Sequence, residues 1–181
     1  MSRVGKQAIA IPAGVTVIAV IGDSGTTVTV KGPRGELQRL FRSNIVITVG
    51  EDKVTLAPKN PETEGALWGT YASHIKNMVA GVVSGFTKQL AIEGIGYKGN
   101  VAGQTLTLNV GFSHPVMITA PAEVEITLEK NILTVSGPSK EAVGQFAASV
   151  RAIKPPDPYK EKGIRYSDEK ITRKPGKKVV S

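Results

Sequence analysis

The sequence predicts an α+β fold of two similar domains, each a small, mostly antiparallel sheet covered on one face by a helix, with basic extensions at both ends. Three observations support this prediction: a strand pattern that occurs twice, a helical pattern that occurs twice, and positive charge placed at the chain ends. The chain has 181 residues, of which 40% are apolar, enough for a buried core in one large or two small domains.

The strand pattern links two pairs of segments. PAGVTV at residues 12–17 leads into VTVKGP at 28–33, and PAEVEI at 121–126 leads into LTVSGP at 133–138. The helical pattern GTYASHIK at residues 69–76 matches GQFAASVR at 144–151 in residue class at most positions. Two copies of one unit imply two domains of similar fold.

Short turns separate the predicted strands. Residues 45–49 and 53–57 form one predicted hairpin, and residues 124–128 and 132–135 form another. GDSG at 22–25 resembles the nucleophile loop of trypsin-like proteases, but neither His74 nor His114 has the sequence surroundings of a catalytic base. GPRG at 32–35 fits the GxxG pattern of KH domains, although its flanks are strand-like. Both motifs are therefore interpreted as hairpin turns.

Apolar residues at helical spacing predict one helix in each domain. The first helix is expected to begin with Asn60 as N-cap, Pro61 at the first helical position and Glu62 and Glu64 in the first turn, and to end at Gly85. The apolar positions are Leu67, Tyr71, Ile75, Met78, Val79 and Val82 in the first helix and Ala142, Val143, Phe146, Val150 and Ile153 in the second. A boundary at 83–87 gives a first domain over 11–83 and a second over 84–153, between extensions 1–10 and 154–181.

The positive charge lies at the two ends of the chain. Residues 154–181 hold nine Lys or Arg against four Asp or Glu, a net +5, and residues 1–10 hold Arg3 and Lys6 with no acidic residue, a net +2. The body, residues 11–153, has twelve cations and eleven anions, so it accounts for little of the total of +8. Basic ends on a nearly neutral body favour a nucleic-acid partner.

The most informative segment is KPPDPYKEKGIRY at residues 154–166. Its prolines fix an extended backbone, which predicts that the segment stands off the body. Lys154, Lys160, Lys162 and Arg165 could then face phosphates, while Tyr159 and Tyr166 offer flat faces to a base or ribose. The alternative is a proline-rich linker whose charges keep it in solution.

GIGYKG at residues 94–99 matches the GxGxxG dinucleotide fingerprint, which requires a helix after the glycines. A turn and a strand-like segment follow instead, so the motif predicts either a hairpin that brings Tyr97 and Lys98 near RNA or glycines that serve tight turns alone. His114, within GFSHP, could contact RNA or be an ordinary surface histidine. With no cysteine and no metal-ligand spacing, neither a metal site nor a cofactor is expected.

Several stretches together resemble the bacterial-type ribosomal protein L6 family, a family of the large ribosomal subunit. They are MSRVGKQAIAIP, VKGPRGEL, ALWGTYASHIKNMVAGVVSGF, EGIGYKG, GFSHPV and PPDPYKEKGIRY. The resemblance implies no catalysis, and a role in binding 23S-type ribosomal RNA near the sarcin-ricin loop and the stalk base. Neighbouring ribosomal proteins and translation factors would lie close by. One departure is Glu161, where the family usually has a small residue, commonly glycine.

The charged ends, the aromatic residues and the resemblance together give one set of candidate RNA-binding residues: Arg3, Lys6, Tyr97, Lys98, Ser113, His114, Lys154, Tyr159, Lys160, Lys162, Arg165, Tyr166, Arg173, Lys174, Lys177 and Lys178. The leading hypothesis is a cytoplasmic ribosomal protein with no membrane association. A free-standing RNA-binding regulator is the alternative, and an enzyme with a nucleotide site would depend on GIGYKG alone.

Overall fold

The computed structural model describes residues 3–60 and 63–174. The strands are β1 Ile9–Ala10, β2 Thr16–Gly22, β3 Gly25–Gly32, β4 Gly35–Phe41, β5 Ile45–Val49, β6 Lys53–Pro58, β7 Phe86–Glu93, β8 Lys98–Ala102, β9 Thr105–Asn109, β10 Val116–Thr119, β11 Glu125–Glu129, β12 Ile132–Gly137 and β13 Gly163–Tyr166. The helices are α1 Gly65–Val83 and α2 Lys140–Ile153. The described residues form two compact units, which change over between Gly85 and Phe86; residues 138–140 group with the first unit.

The first unit contains two antiparallel sheets, in the orders β2-β3-β4 and β1-β6-β5, and helix α1. Apolar side chains from both sheets and from one face of α1 form its core, with Val28, Ile75 and Val82 fully buried. Trp68 belongs to this core and donates a 2.9 Å hydrogen bond from Nε1 to the carbonyl of Leu56. Leu67, expected on the buried face of α1, is exposed.

The second unit repeats this plan with one more strand. Its sheets run β10-β9-β8 and β11-β12-β7-β13, every pairing is antiparallel, and α2 buries Val143, Phe146, Ala147 and Val150. The predicted α+β fold of two similar domains is confirmed, and the structure adds a second sheet to each unit.

The predicted correspondence between the strand repeats is wrong, although the helical one is right. In space, β7-β12-β11 has the order of β1-β6-β5, so the hairpin β5–β6 corresponds to β11–β12 and the pair β2–β3 does not. The misleading pattern, an x-Thr-Val-x-Gly-Pro strand end after a Pro-Ala turn, describes an antiparallel hairpin in general. Each unit contains more than one hairpin, so the match joined non-equivalent ones.

Helix α1 begins later than predicted, at Gly65 rather than after Asn60. The Glu64 carboxylate accepts 2.9 Å hydrogen bonds from the Asn44 side chain and from the Asn60 amide, which hold this residue just before the helix. The hydrogen bond from the Asn60 amide is the main cause of a lowered pKa at Glu64. Pro61 and Glu62 lie outside the described residues. The predicted end is confirmed: Gly85 has φ +72° and its amide donates to the Gly81 carbonyl at 3.0 Å.

The C-terminal segment does not stand off the body as predicted. Strand β13 pairs with β7 at the edge of the second unit's larger sheet, where Ile164 lies opposite Ile92. Ile164 is fully buried in the core. Because Pro155, Pro156 and Pro158 all precede this strand, residues 163–166 keep the backbone amides that they need to pair. The second unit therefore extends beyond the predicted domain end at residue 153.

The N-terminal segment also packs on its unit. Gly5 is buried, and a β-carbon placed on it would lie 2.6 Å from the Trp68 ring. Ile9 is buried and pairs with Val54 through β1 and β6. No helix among residues 3–60 and 63–174 is long and apolar enough to cross a membrane.

Candidate nucleic-acid interface

Three loops of the second unit bring several of the predicted residues together; we call residues 94–97, 111–114 and Lys154 the loop cluster. Residues 94–97 of GIGYKG form a turn between β7 and β8, and a strand rather than a helix follows, as predicted. The Tyr97 ring lies against Gly94 and approaches Gly111, whose φ is +81°. Tyr97 is half-buried and packs on the core, so only part of its ring faces solvent, whereas Lys98 is exposed.

Phe112 connects the second and third parts of the loop cluster. Its ring is 45% exposed, and the Lys154 ammonium lies 5.1 Å from the ring centroid, a cation–π contact. Phe112 also stacks with the His114 ring: the two ring centroids are 6.5 Å apart and the ring planes are 23° from parallel. Ser113 and His114 are exposed. The cluster thus presents aromatic, hydroxyl and cationic groups to solvent.

Residues 154–163, which we call the proline loop, close on themselves through backbone hydrogen bonds. The Asp157 amide donates to the Lys162 carbonyl at 2.9 Å, and the Glu161 amide donates to the Asp157 carbonyl at 2.8 Å. The Tyr159 amide donates to the Asp157 carboxylate at 3.0 Å. This closure presents Tyr159, which is 52% exposed, and Lys160 at the loop's outer end.

Two residues at the end of the proline loop adopt backbone conformations that favour glycine. Glu161 has φ +58°, in the left-handed region where a β-carbon is strained. Gly163 has φ +148°, and a β-carbon on it would lie 2.6 Å from the Pro156 α-carbon and 2.7 Å from the Pro155 carbonyl oxygen. The small residue expected at position 161 from the family resemblance thus suits the local backbone.

Residues 170–174, which we call the second basic stretch, return to the proline loop. The Lys174 amide donates a 3.0 Å hydrogen bond to the Pro158 carbonyl, which places residues 173 and 174 beside the exposed end of the loop. Lys170, Arg173 and Lys174 are all exposed. Cations far apart in the sequence therefore lie on one part of the second unit.

Arg165 and Tyr166, which are also predicted to contact RNA, make contacts within the protein. Arg165 pairs with Glu93 at 2.7 Å, which is the main cause of its raised pKa. The half-buried Tyr166 ring lies 5.5 Å from the Lys88 ammonium and 5.9 Å from the Arg151 guanidinium carbon. These contacts favour a structural role for both residues.

Glu169 is the centre of this network. Its two carboxylate oxygens accept a bidentate pair of hydrogen bonds from Arg151, one of them 2.8 Å long from Nε, and one oxygen also accepts from the Tyr166 amide at 3.2 Å. The Arg151 hydrogen bonds are the largest cause of a lowered pKa at Glu169, partly offset by burial. Arg165 donates to the Glu169 backbone carbonyl at 3.3 Å.

The remaining predicted residues are dispersed. Arg3 and Lys6 are exposed on the first unit, and Lys162 is half-buried in the proline loop. Lys177 and Lys178 lie outside the described residues. Two exposed residues at the site, Phe112 and Lys170, were missing from the predicted set. The run of cations after residue 169 could have indicated Lys170. Within the described part of the chain, no group of three or more His, Cys, Asp or Glu residues could hold a metal ion.

Loops of the second unit carry exposed cations and aromatic rings within a duplicated α+β fold. The family model for ribosomal protein L6 matches residues 11–85 and 93–167, one match for each unit. This chain belongs to the ribosomal protein L6 family.

Curated relatives agree over nearly the whole chain. Proteins named large ribosomal subunit protein uL6 are 46% identical in Listeria innocua serovar 6a and in Halalkalibacterium halodurans, and 45% identical in Latilactobacillus sakei subsp. sakei. Each alignment spans 179 residues and covers 98% of this chain and 98% of the relative. The second family match ends at residue 167, so it includes β13, in agreement with the packing of that strand.

Proposed function

We propose that this protein is a structural component of the large ribosomal subunit and binds 23S-type ribosomal RNA through its second unit, without catalysing a reaction. Membership of the ribosomal protein L6 family supports the ribosomal role. The observation that carries the RNA-binding surface is the hydrogen bond between the Lys174 amide and the Pro158 carbonyl, because it joins the two basic stretches into one surface.

Charge and exposure make this surface suitable for a phosphate backbone. Lys160, Lys170, Arg173 and Lys174 are exposed, and within residues 3–60 and 63–174 none of them forms an ion pair. Exposed cations release counterions from RNA when they neutralise phosphates, and each such contact steepens the salt dependence of binding. Lys154 adds a cation at the loop cluster.

The aromatic residues supply contacts of a second kind. Tyr159 and Phe112 are each about half exposed, at 52% and 45%, next to cations. RNA-binding proteins use such rings to stack on unpaired bases and to pack on riboses. The second unit therefore offers both phosphate contacts and stacking contacts.

We place the binding site near the sarcin-ricin loop and the stalk base, beside neighbouring ribosomal proteins and the docking region of translation factors. The support for this location is the family resemblance of the segments at residues 94–99, 111–116 and 155–166. Chemical footprinting of the RNA in subunits that contain or lack the protein tests it: protection elsewhere would contradict the location.

The RNA-binding surface is tested with Lys160→Gln and Lys174→Gln, alone and together, and with Lys53→Gln, an exposed lysine of the first unit, as control. Each lost phosphate contact should flatten the plot of log affinity against log salt by roughly 0.7 to 0.9. The double variant should flatten this slope by about twice as much as either single variant, and the control should bind with the wild-type affinity and slope.

Sedimentation distinguishes the ribosomal role from a free-standing RNA-binding regulator. A ribosomal component should be present in stoichiometric amount in salt-washed large subunits. Release at moderate salt would instead support the regulator and overturn the proposed role.

A further inference from the structure

Glu169 is an acidic residue within a strongly basic segment, since residues 154–174 contain seven Lys or Arg and four Asp or Glu. A carboxylate beside an RNA-binding surface repels phosphate unless it is neutralised. The structure neutralises this one with Arg151, through a bidentate pair in which the two side chains are only 33% and 25% exposed. Such bidentate, charge-assisted pairs are among the stronger side-chain hydrogen bonds.

The backbone of Glu169 is held as firmly as its side chain. Its amide donates to the Tyr166 carbonyl at 3.1 Å, and its own carbonyl accepts from Arg165 at 3.3 Å. Arg165 is fixed in turn by Glu93 on β7. Helix α2, strand β7 and strand β13 therefore all hold this one residue.

Glu169 also directly precedes the second basic stretch. Lys170 follows it, and the next backbone attachment along the chain is the Lys174 amide on the Pro158 carbonyl. Residues 170–174 thus form a short span fixed at both ends. The loss of the Glu169 carboxylate would weaken the first of these two attachments, so the cations of residues 170–174 would be held less firmly beside Lys160.

We propose that Glu169 is a positioning residue that fixes Lys170, Arg173 and Lys174 on the second unit before RNA arrives, so that the two basic stretches bind as one preformed surface. This inference rests on the proposed RNA-binding function. It assigns Arg151, Arg165 and Glu93 to holding the surface, and leaves phosphate contact to the exposed lysines and Arg173. Preorganisation raises affinity because less conformational entropy is lost on binding.

The test compares Glu169→Gln with Asp168→Asn, which removes the same charge from the adjacent residue. Asp168 is a suitable control because its side chain is 79% exposed and its ion pair with Lys88 is 3.9 Å long. In the free protein, Glu169→Gln should speed tryptic cleavage after Lys170 and Arg173 by about tenfold or more, since charge-assisted hydrogen bonds are lost. Amide protection at Leu90 and Ile92 should stay unchanged, and Asp168→Asn should match the wild type.

RNA binding gives the second measurement, with a 23S-type ribosomal RNA transcript as the probe. Glu169→Gln should bind at least several-fold more weakly although its net charge is one unit more positive, whereas Asp168→Asn should bind as well as the wild type or slightly better. Arg151→Gln, which changes the charge in the opposite direction, should reproduce the faster cleavage.

Two results would overturn the proposal. One is a Glu169→Gln protein that is cleaved no faster than the Asp168→Asn protein. The other is faster cleavage with RNA affinity unchanged or increased, which would make the network structural only. If the wild type itself fails to bind the transcript, the proposed function fails, and the cleavage experiment still decides whether Glu169 fixes the segment.

Discussion

Ile164→Ala tests whether the C-terminal strand is an integral part of the second core. Ile164 is 0% exposed, pairs with Ile92 across the sheet and belongs to the second core cluster. Truncating an isoleucine to alanine at such a position costs about 2 to 5 kcal/mol of the free energy of unfolding. The matched control is Ile132→Ala in the same sheet, because Ile132 is 47% exposed. Its cost should stay below about 1 kcal/mol, the range of strand propensity.

The chain provides a separate reporter for each unit. Trp68 is the only tryptophan and is buried in the first core, so its fluorescence follows the first unit. Amide exchange at Leu90 and Leu133 follows the second. For a urea slope of about 1 to 2 kcal/mol/M, Ile164→Ala should lower the second unit's midpoint by about 1 M or more and leave the Trp68 transition in place. An effect no larger than that of Ile132→Ala would refute the assignment of β13 to the core.

Three further predictions concern the proline loop, the tyrosines and acid stability. Glu161→Gly relieves a left-handed backbone conformation at φ +58°, so the free energy of unfolding should be unchanged or rise by up to about 1 kcal/mol; RNA binding should tighten slightly, and a weaker complex would mean that the carboxylate orients a neighbouring lysine. Tyr159→Ala should weaken RNA binding by about 1 to 3 kcal/mol at every salt concentration without loss of thermal stability, whereas Tyr166→Ala, which removes a half-buried ring, should lower the melting temperature; equal melting temperatures would contradict this division. The pKa of Glu169 in the folded protein is below its ordinary 4.5, so its stabilisation is present above that value and lost as pH falls through the folded pKa; Glu169→Gln should therefore flatten the acid side of the stability profile measured by amide exchange of the second unit, and an unchanged profile would count against the carboxylate's role.

Local sequence chemistry was sufficient for the hairpins. The alternation at residues 45–49 and 53–57 and the turn at Lys130, which has φ +54°, determine those strands without reference to the rest of the chain. The end of α1 at Gly85 is local in the same way. Its beginning is not, because Glu64 is held by Asn44, twenty residues earlier. No propensity could indicate that contact.

Strand β13 shows a second limit of sequence reasoning. GIRY follows prolines and lysines and is too short to give a strong alternation signal. Its pairing depends on the open edge of β7, and the contact between Arg165 and Glu93 joins residues 72 positions apart. The sequence therefore predicts a free extension, although Arg165, one of the predicted RNA-binding residues, forms an ion pair with Glu93 on the body of the second unit.

The candidate site divides along the same line. The motif at residues 154–166 contains the tyrosines Tyr159 and Tyr166 and, among its cations, Lys160 and Arg165, and the sequence alone does not distinguish the members of either pair. The tertiary structure exposes Tyr159 and Lys160 and engages Tyr166 and Arg165 in internal contacts. Residue type therefore selected groups that lie on one unit, whereas burial and ion pairing were needed to separate the exposed groups from those that hold them.

Ultraviolet crosslinking of assembled large subunits, followed by mass spectrometry of the crosslinked peptides, locates the protein's RNA contacts residue by residue. The proposal under test is that the proline loop, the second basic stretch and the loop cluster form the RNA-binding surface. It predicts RNA crosslinks at Tyr159, Phe112 and the peptides that contain Lys160 and Lys174, and none at the exposed sheet residues Ile18 and Val20 of the first unit. Crosslinks confined to the first unit, with none in residues 94–174, would contradict it.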